Sequence, residues 1–278
     1  MALARVYCGL AAADQSAASS STGTWLTAAV VDDAGRLLDV CELGDDPGGY
    51  ARLVALLAER APAAATAAVA ADSDEHLVTA LLAAAGRPLA YADEDATEDY
   101  AERFADDASS EEPSAAERRA LGLARALQAG ALSAAVLPAP RDLLAVKPML
   151  AAHGALVRGR LAAASVLREV LRELYPAALR AYRDPAEPLA LAILDALPEP
   201  GRLGGTGGAR ARDAAASTDA LAGRLAEEGV AEDPTAAAEA ITALRVAVAE
   251  TPRRSGPHKS LTSAVADAVR EAVAAVRA

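Results

Sequence analysis

Apolar residues in the first hundred positions fall into short runs separated by turn-forming residues. Arg5–Ala12 (RVYCGLAA), Trp25–Val31 (WLTAAVV) and Arg36–Leu43 (RLLDVCEL) have the length and composition of strands. The turn Asp32-Asp33-Ala34-Gly35 joins the second to the third, with Gly35 suited to a positive φ. The three runs therefore predict an antiparallel meander. The period then changes. Tyr50, Leu53, Val54, Leu56 and Leu57 recur at helical spacing, behind Asp46 as cap and Pro47 in the first turn. Thr66–Ala71 is a weak fourth strand. Asp72-Ser73-Asp74 is the expected cap of a helix carrying Leu77, Val78, Leu81 and Leu82, which Gly86 stops. Pro88–Ala92 is a fifth strand. The order β-β-β-α-β-α-β predicts an α/β domain over residues 1–92, a mixed sheet with helices on its faces.

Beyond it the pattern is helical. Residues 93–112 hold ten acids and one base, Arg103, which predicts a solvated or disordered face and an acidic linker over 93–116. Ser114 and Glu117 form an S-x-x-E capping box before a helix with Leu121, Leu123, Leu127 and Leu132. The run Leu137-Pro138-Ala139-Pro140 breaks that pattern, and a long arm follows from Arg141, kinked at Pro148 or beginning there. Along the arm Met149, His153, Leu156, Arg160, Ala163, Leu167, Val170, Leu174 and Ala178 predict one helix face, long enough for a helical hairpin or coiled-coil arm. Residues 117–183 make this all-α helix and arm, and 184–278 a helical tail. The tail contains a short apolar helix in 185–200, a glycine-rich loop at 201–208 and helices at 213–228, 234–250 and 260–277. The loop lacks a G-K-[ST] ending and a preceding strand, so it reads as a linker rather than a phosphate cradle.

Composition changes this picture in two respects. The chain is 53% hydrophobic, yet much of that is alanine and aromatics are only 3%, so packing rests on Leu, Val and helix propensity. The charge is also uneven. Residues 1–116 carry 21 acids and 6 bases (net −15), and residues 117–278 carry 18 acids and 21 bases (net +3). The whole chain is not a general polyanion binder, but its second part offers local cations. Arg158, Arg160, Arg168, Arg172, Arg180 and Arg183 lie along the arm, and Arg253, Arg254 and Lys259 lie in a basic loop at 251–259. They are the candidate contacts to DNA or structured RNA phosphates. A homodimer built through the 141–182 arm, with no nucleic-acid role, is the competing expectation. Cys8 and Cys41 fall on predicted strands as buried free thiols. No run reaches a membrane span and the start lacks a secretory h-region, so a cytoplasmic protein is expected. His76, His153 and His258 are scattered on separate elements, which gives no hydrolase constellation.

Three regions resemble the insertion-sequence transposases of the Piv/MooV type, which carry a D-E-D-D acidic tetrad. They are the opening strand with its hairpin VVDDAGRLL (Val30–Leu38), the strand-helix unit Val69–Gly86, and a third region that carries most of the likeness. That third region runs from RRALGLARAL (Arg118–Leu127) through VLPAPRDL (Val136–Leu143) to LREVLRELYPAAL (Leu167–Leu179). The resemblance covers about residues 5–200 and implies a ribonuclease-H-like (RuvC-like) first domain whose tetrad holds divalent metal. Carried over, the tetrad falls on Ala11, Ala71, Ala116 and Arg119, none of which ligates a metal. Asp14 and Asp72 are the weak catalytic candidates nearby. Mg²⁺ is expected only if these and acids from 93–112 rebuild the site. The family's C-terminal domain with its catalytic serine has no counterpart after Ser260. The resemblance implies a degenerate homologue that binds nucleic acid or regulates, with an active metal-dependent recombinase as the further alternative.

Overall fold

The structure is a computed structural model that describes residues 5–13, 24–61, 67–104, 113–200, 209–251 and 259–278, with side chains outside the description at 209–215 and 259–262. Strands β1 (Val6–Ala12), β2 (Trp25–Asp32) and β3 (Leu37–Gly44) form the antiparallel meander. Gly35 turns the chain between β2 and β3 at φ 74°. Helix α1 (Pro47–Arg60) starts as expected, with the Asp46 carboxylate accepting from Gly49 N at 2.8 Å. Strand β4 (Ala67–Ala71) then pairs parallel with β1. Helix α2 (Leu77–Ala84) leads to β5 (Pro88–Tyr91), parallel to β4. A two-residue strand, β6 (Ala135–Val136), which the sequence pattern does not signal, adds antiparallel to β5. The sheet order is β3-β2-β1-β4-β5-β6.

β1 is central and buried on both faces, which explains its nearly unbroken apolar run. Cys8 and Leu10 face the core shared with α1 and α2, while Ala11 joins Ala29, Val31, Ala120, Leu121 and Ala124 on the other face. Three of these come from α4 (Ala115–Gln128), the helix grouped by sequence with the arm. It lies instead on the sheet. Its small Ala120 and Ala124 approach Gly9 so closely that a Cβ there would sit 1.9 Å from Ala120 O. Ser114 and Glu117 cap it reciprocally, as the capping box predicts.

The expected acidic linker is ordered as a helix through Phe104. Helix α3 (Glu94–Phe104) buries Thr97 and Ala101 and packs on α4 at Gly122, where a Cβ would meet Ala101 N at 2.6 Å. Its acids occupy the outer face, so acidity alone did not preclude a packed helix.

A 3-10 turn (Arg141–Val146) precedes helix α5 (Lys147–Leu174), in which Pro148 is the second residue, so it opens the helix instead of kinking it. The face predicted for the arm is buried only at its far end, where Leu167 and Ala178 are fully buried. Leu150, Leu167 and Leu171 are buried, whereas Met149 and Leu156 are 64% and 69% exposed. The chain divides into two compact units, Met1–Arg158 and Gly159–Ala278.

In the second unit, Tyr175 leaves helical geometry and Pro176 opens α6 (Pro176–Ala181). Helices α7 (Pro188–Ala196), α8 (Ala209–Glu227), α9 (Pro234–Glu250) and α10 (Lys259–Arg277) follow. Their core gathers Leu167, Leu171, Tyr175, Ile193, Ile241 and Val273. Among the described residues no helix is long and apolar enough to cross a membrane.

Candidate functional site

The carboxyl ends of β1 and β4 lie side by side, and polar side chains from three further elements meet there. The last paired residues are Leu10 and Ala71, so Ala11 and Asp72 come next to one another. Asp72 N donates to Leu10 O at 3.1 Å, and Ala12 N donates to Asp72 Oδ2 at 2.8 Å. The other carboxylate oxygen, Oδ1, lies 2.7 Å from His76 Nε2. From α4, Arg119 Nη2 donates to Ala12 O at 3.0 Å, and its Nη1 lies 3.6 Å from Glu98 Oε1 on α3.

Asp45, just before α1, completes the cluster. Its carboxylate accepts from Leu77 N at 3.1 Å and Val78 N at 2.9 Å, which caps α2, and its Oδ2 is 3.9 Å from His76 Nδ1. This corrects the expected cap: the Asp72-Ser73-Asp74 run does not cap α2, because Asp72 is turned toward His76 and the first N–H groups are satisfied from across the fold.

The electrostatics follow from these contacts. Burial pushes the Asp72 carboxyl up, but the His76 hydrogen bond, the Ala12 N–H and the charges of His76 and Arg119 outweigh it and hold it below the ordinary carboxylate range. The hydrogen bond to Asp72 raises His76 above its ordinary value against the opposing effect of burial, helped by the charges of Asp72, Asp45 and Glu75. The result is a partly buried carboxylate–imidazole pair, an ion pair whenever His76 is protonated, with Arg119 beside it.

Of the positions that the resemblance assigned to a tetrad, Ala11 and Arg119 come to this place. Ala71 belongs to the core on the α1 and α2 side, whereas Ala11 faces α4. Side chains alternate along a strand, so Asp72, not Ala71, stands beside Ala11. Ala11 and Ala116 are buried and offer no ligand. Arg119 brings a fixed cation to the strand ends. Divalent ions in phosphoryl chemistry need several carboxylate oxygens at one point. Here both oxygens of Asp72 already have partners, and a guanidinium stands nearby, so the described residues do not fit a metal pair. Among the described residues no three His, Cys, Asp or Glu side chains gather to hold a metal ion. Asp14 and the acids at 106–112 lie outside the described residues.

The candidate phosphate contacts are dispersed. Arg168 Nη2 pairs with Asp184 Oδ1 at 2.8 Å, and Arg172 pairs with Glu169 one turn away. Arg180 Nη2 donates to Ala247 O at 3.0 Å and to Thr251 Oγ1 at 2.6 Å. Arg158, Arg160 and Arg183 are exposed. Arg253 and Arg254 lie outside the described residues, and Lys259 begins α10 with its side chain outside the description. Sequence reasoning missed His76 and Asp45 as site residues. The only local signal was the i, i+4 spacing of Asp72 and His76.

The chain is 33% identical over 180 residues, 63% of its own length, to a protein of Streptomyces coelicolor described as "Mini-circle putative transposase for IS117". It spans 42% of that relative's length. The chain is therefore transposase-like over those residues. No protein-family model matches it, and no solved structure matches it.

Proposed function

We propose that this chain is a ribonuclease-H-like transposase homologue of the Piv/MooV type. It no longer carries out metal-dependent strand chemistry and acts by binding nucleic acid in a regulatory role. The observation that carries this reading is the seating of Arg119. Its guanidinium holds Ala12 O at the end of β1, beside an Asp72 whose two oxygens are already engaged. A permanent cation in the place of a dissociable one keeps the strand ends together and leaves no open coordination position. The sheet order, an antiparallel meander continued by two parallel strands from β1, supports the ribonuclease-H-like assignment. The similarity to a transposase supports DNA as the class of partner, with structured RNA the alternative.

The test combines two assays. Fluorescence anisotropy with duplex DNA and with structured RNA should give binding that weakens steeply between about 50 and 200 mM salt. Plasmid nicking with Mg²⁺ or Mn²⁺ should be absent. Nicking that disappears in Asp72→Ala would restore the active-recombinase reading, and no binding at low salt would remove the nucleic-acid role.

A second reading rests on a separate observation. Met149, Leu156 and Val166 on α5 are 64%, 69% and 58% exposed, and Met149, the exposed Ala152 and Leu156 stand at spacings of three and four. That is the spacing of a coiled-coil seam, and self-association through the arm would cover it. Light scattering on Leu156→Asp with Val166→Asp tests this: the mass should fall to that of one chain.

A further inference from the structure

A cavity of about 370 Å³ opens between α1, the turn from α2 into β5, and the first turns of α5, all within the first unit. Its polar lining consists of Arg87, Arg158 and Tyr50, and its apolar lining includes Pro88, Val136 and Leu150. No acidic residue lines it, although the first 116 residues carry a net charge of −15.

Two glycines shape the place. Gly86, at φ 73°, closes α2 and delivers Arg87 to the cavity wall. Gly154 is buried and has no side chain, so Arg158 folds back along its own helix. The Nη1 of Arg158 lies 3.5 Å from where a Gly154 Cβ would stand. Burial lowers the Arg87 pKa, and the Arg158 charge lowers it further against the opposing influence of Tyr50. Two guanidinium groups thus line one cavity whose lining includes no carboxylate. Behind it His153 lies with its ring 6.0 Å from that of Tyr50, and its buried Nδ1 has no hydrogen-bond partner.

We propose that this cavity binds a phosphate monoester, its dianion between Arg87 and Arg158 and its organic part against Pro88, Val136 and Leu150. Guanidinium groups match phosphate oxygens in geometry as well as charge. The volume falls at the small end of ligand sites and suits a group of nucleotide size. The same chemistry has two sources, a free mononucleotide or the 5′-phosphorylated end of a strand. Arg158 is also one of the candidate duplex contacts, so the two readings share one residue, and Ala151, which lines the cavity and is none of those contacts, distinguishes them.

The experiment measures equilibrium binding to the full chain of deoxyadenosine monophosphate against deoxyadenosine, and of a short 5′-phosphorylated single strand against its 5′-hydroxyl form. A phosphate preference of about tenfold or more is expected in at least one pair. The nucleotide pair alone would assign a free ligand, and the strand pair alone a strand end. Arg158→Gln, at an exposed position, should remove the preference with the melting temperature unchanged. Ala151→Phe, which fills the mouth from another exposed position, should do the same. Phosphate preference lost in Ala151→Phe with duplex affinity kept would support a cavity separate from the duplex contacts. No preference for phosphate in either pair, or a preference untouched by both variants, would overturn the proposal.

Discussion

Asp72 and His76 couple the stability of the fold to pH, and each group sets one edge of the window. His76 is raised, so its contribution is full below the unfolded value of about 6.5 and is lost as pH rises through the folded value. Asp72 is lowered, so its contribution is full above about 3.9 and is lost as pH falls through the folded value. The pair therefore stabilises most between about pH 4 and 6.5. As pH rises above about 6.5, the melting temperature of the natural chain should fall more steeply than that of His76→Gln. Parallel slopes in thermal melts would show that the pair is energetically silent. Gly9 carries a different constraint. A methyl group there meets backbone, not the flexible end of a side chain. Gly9→Ala should cost about 3 kcal/mol in urea unfolding by forcing α4 off β1. A cost below about 0.5 kcal/mol would mean that the helix shifts freely.

At the scale of elements, helix starts separate what is local from what is not. The Ser114 capping box is contained in four consecutive residues and is visible in the sequence, as are Asp46 before Pro47 and the stops at Gly35 and Gly86. Strand runs and helical periods are local too, which is why the order through β5 could be read directly. The cap of α2 comes from Asp45, 32 residues before Leu77, and no local pattern carries that. Asp45→Ala should therefore destabilise by about 1–2 kcal/mol, while Asp74→Ala, the change that a local reading would favour, should fall within about 0.5 kcal/mol of the natural chain. Chemical denaturation of both variants decides between the two caps. The same distinction explains the site. Arg119 reaches Ala12 across 107 positions, and Asp72 takes its place beside Ala11 only through the β1–β4 register. Local pattern alone therefore could not tell that Asp72, and not Ala71, stands beside Ala11. The face of α5 was read correctly at Leu167 but not at Met149 and Leu156, because burial at Leu150 and Leu171 is decided by partners far along the chain.

On the scale of the whole molecule, the cores are as separate as the units. One cluster draws its buried members from Leu167 to Val276, while the clusters around the sheet draw theirs from Val6 to Leu150. α5 contributes Leu150 to one side of this division and Leu167 and Leu171 to the other, so a single continuous helix serves two packing systems. If burial within each core carries most of its stability, damage to one should stay local. Leu171 is fully buried, and Leu171→Ala should cost its own unit about 2–5 kcal/mol. Hydrogen exchange should then accelerate at amides of α7 and α9, with those of β1, β2 and β4 unchanged, because exchange reports the stability of each cooperative unit. Equal acceleration in the strands would mean that the two units unfold as one, with α5 as a structural tie and not a connector. In that case substitutions along the exposed face of α5 would have to be judged first for their effect on folding, and only then for their effect on self-association.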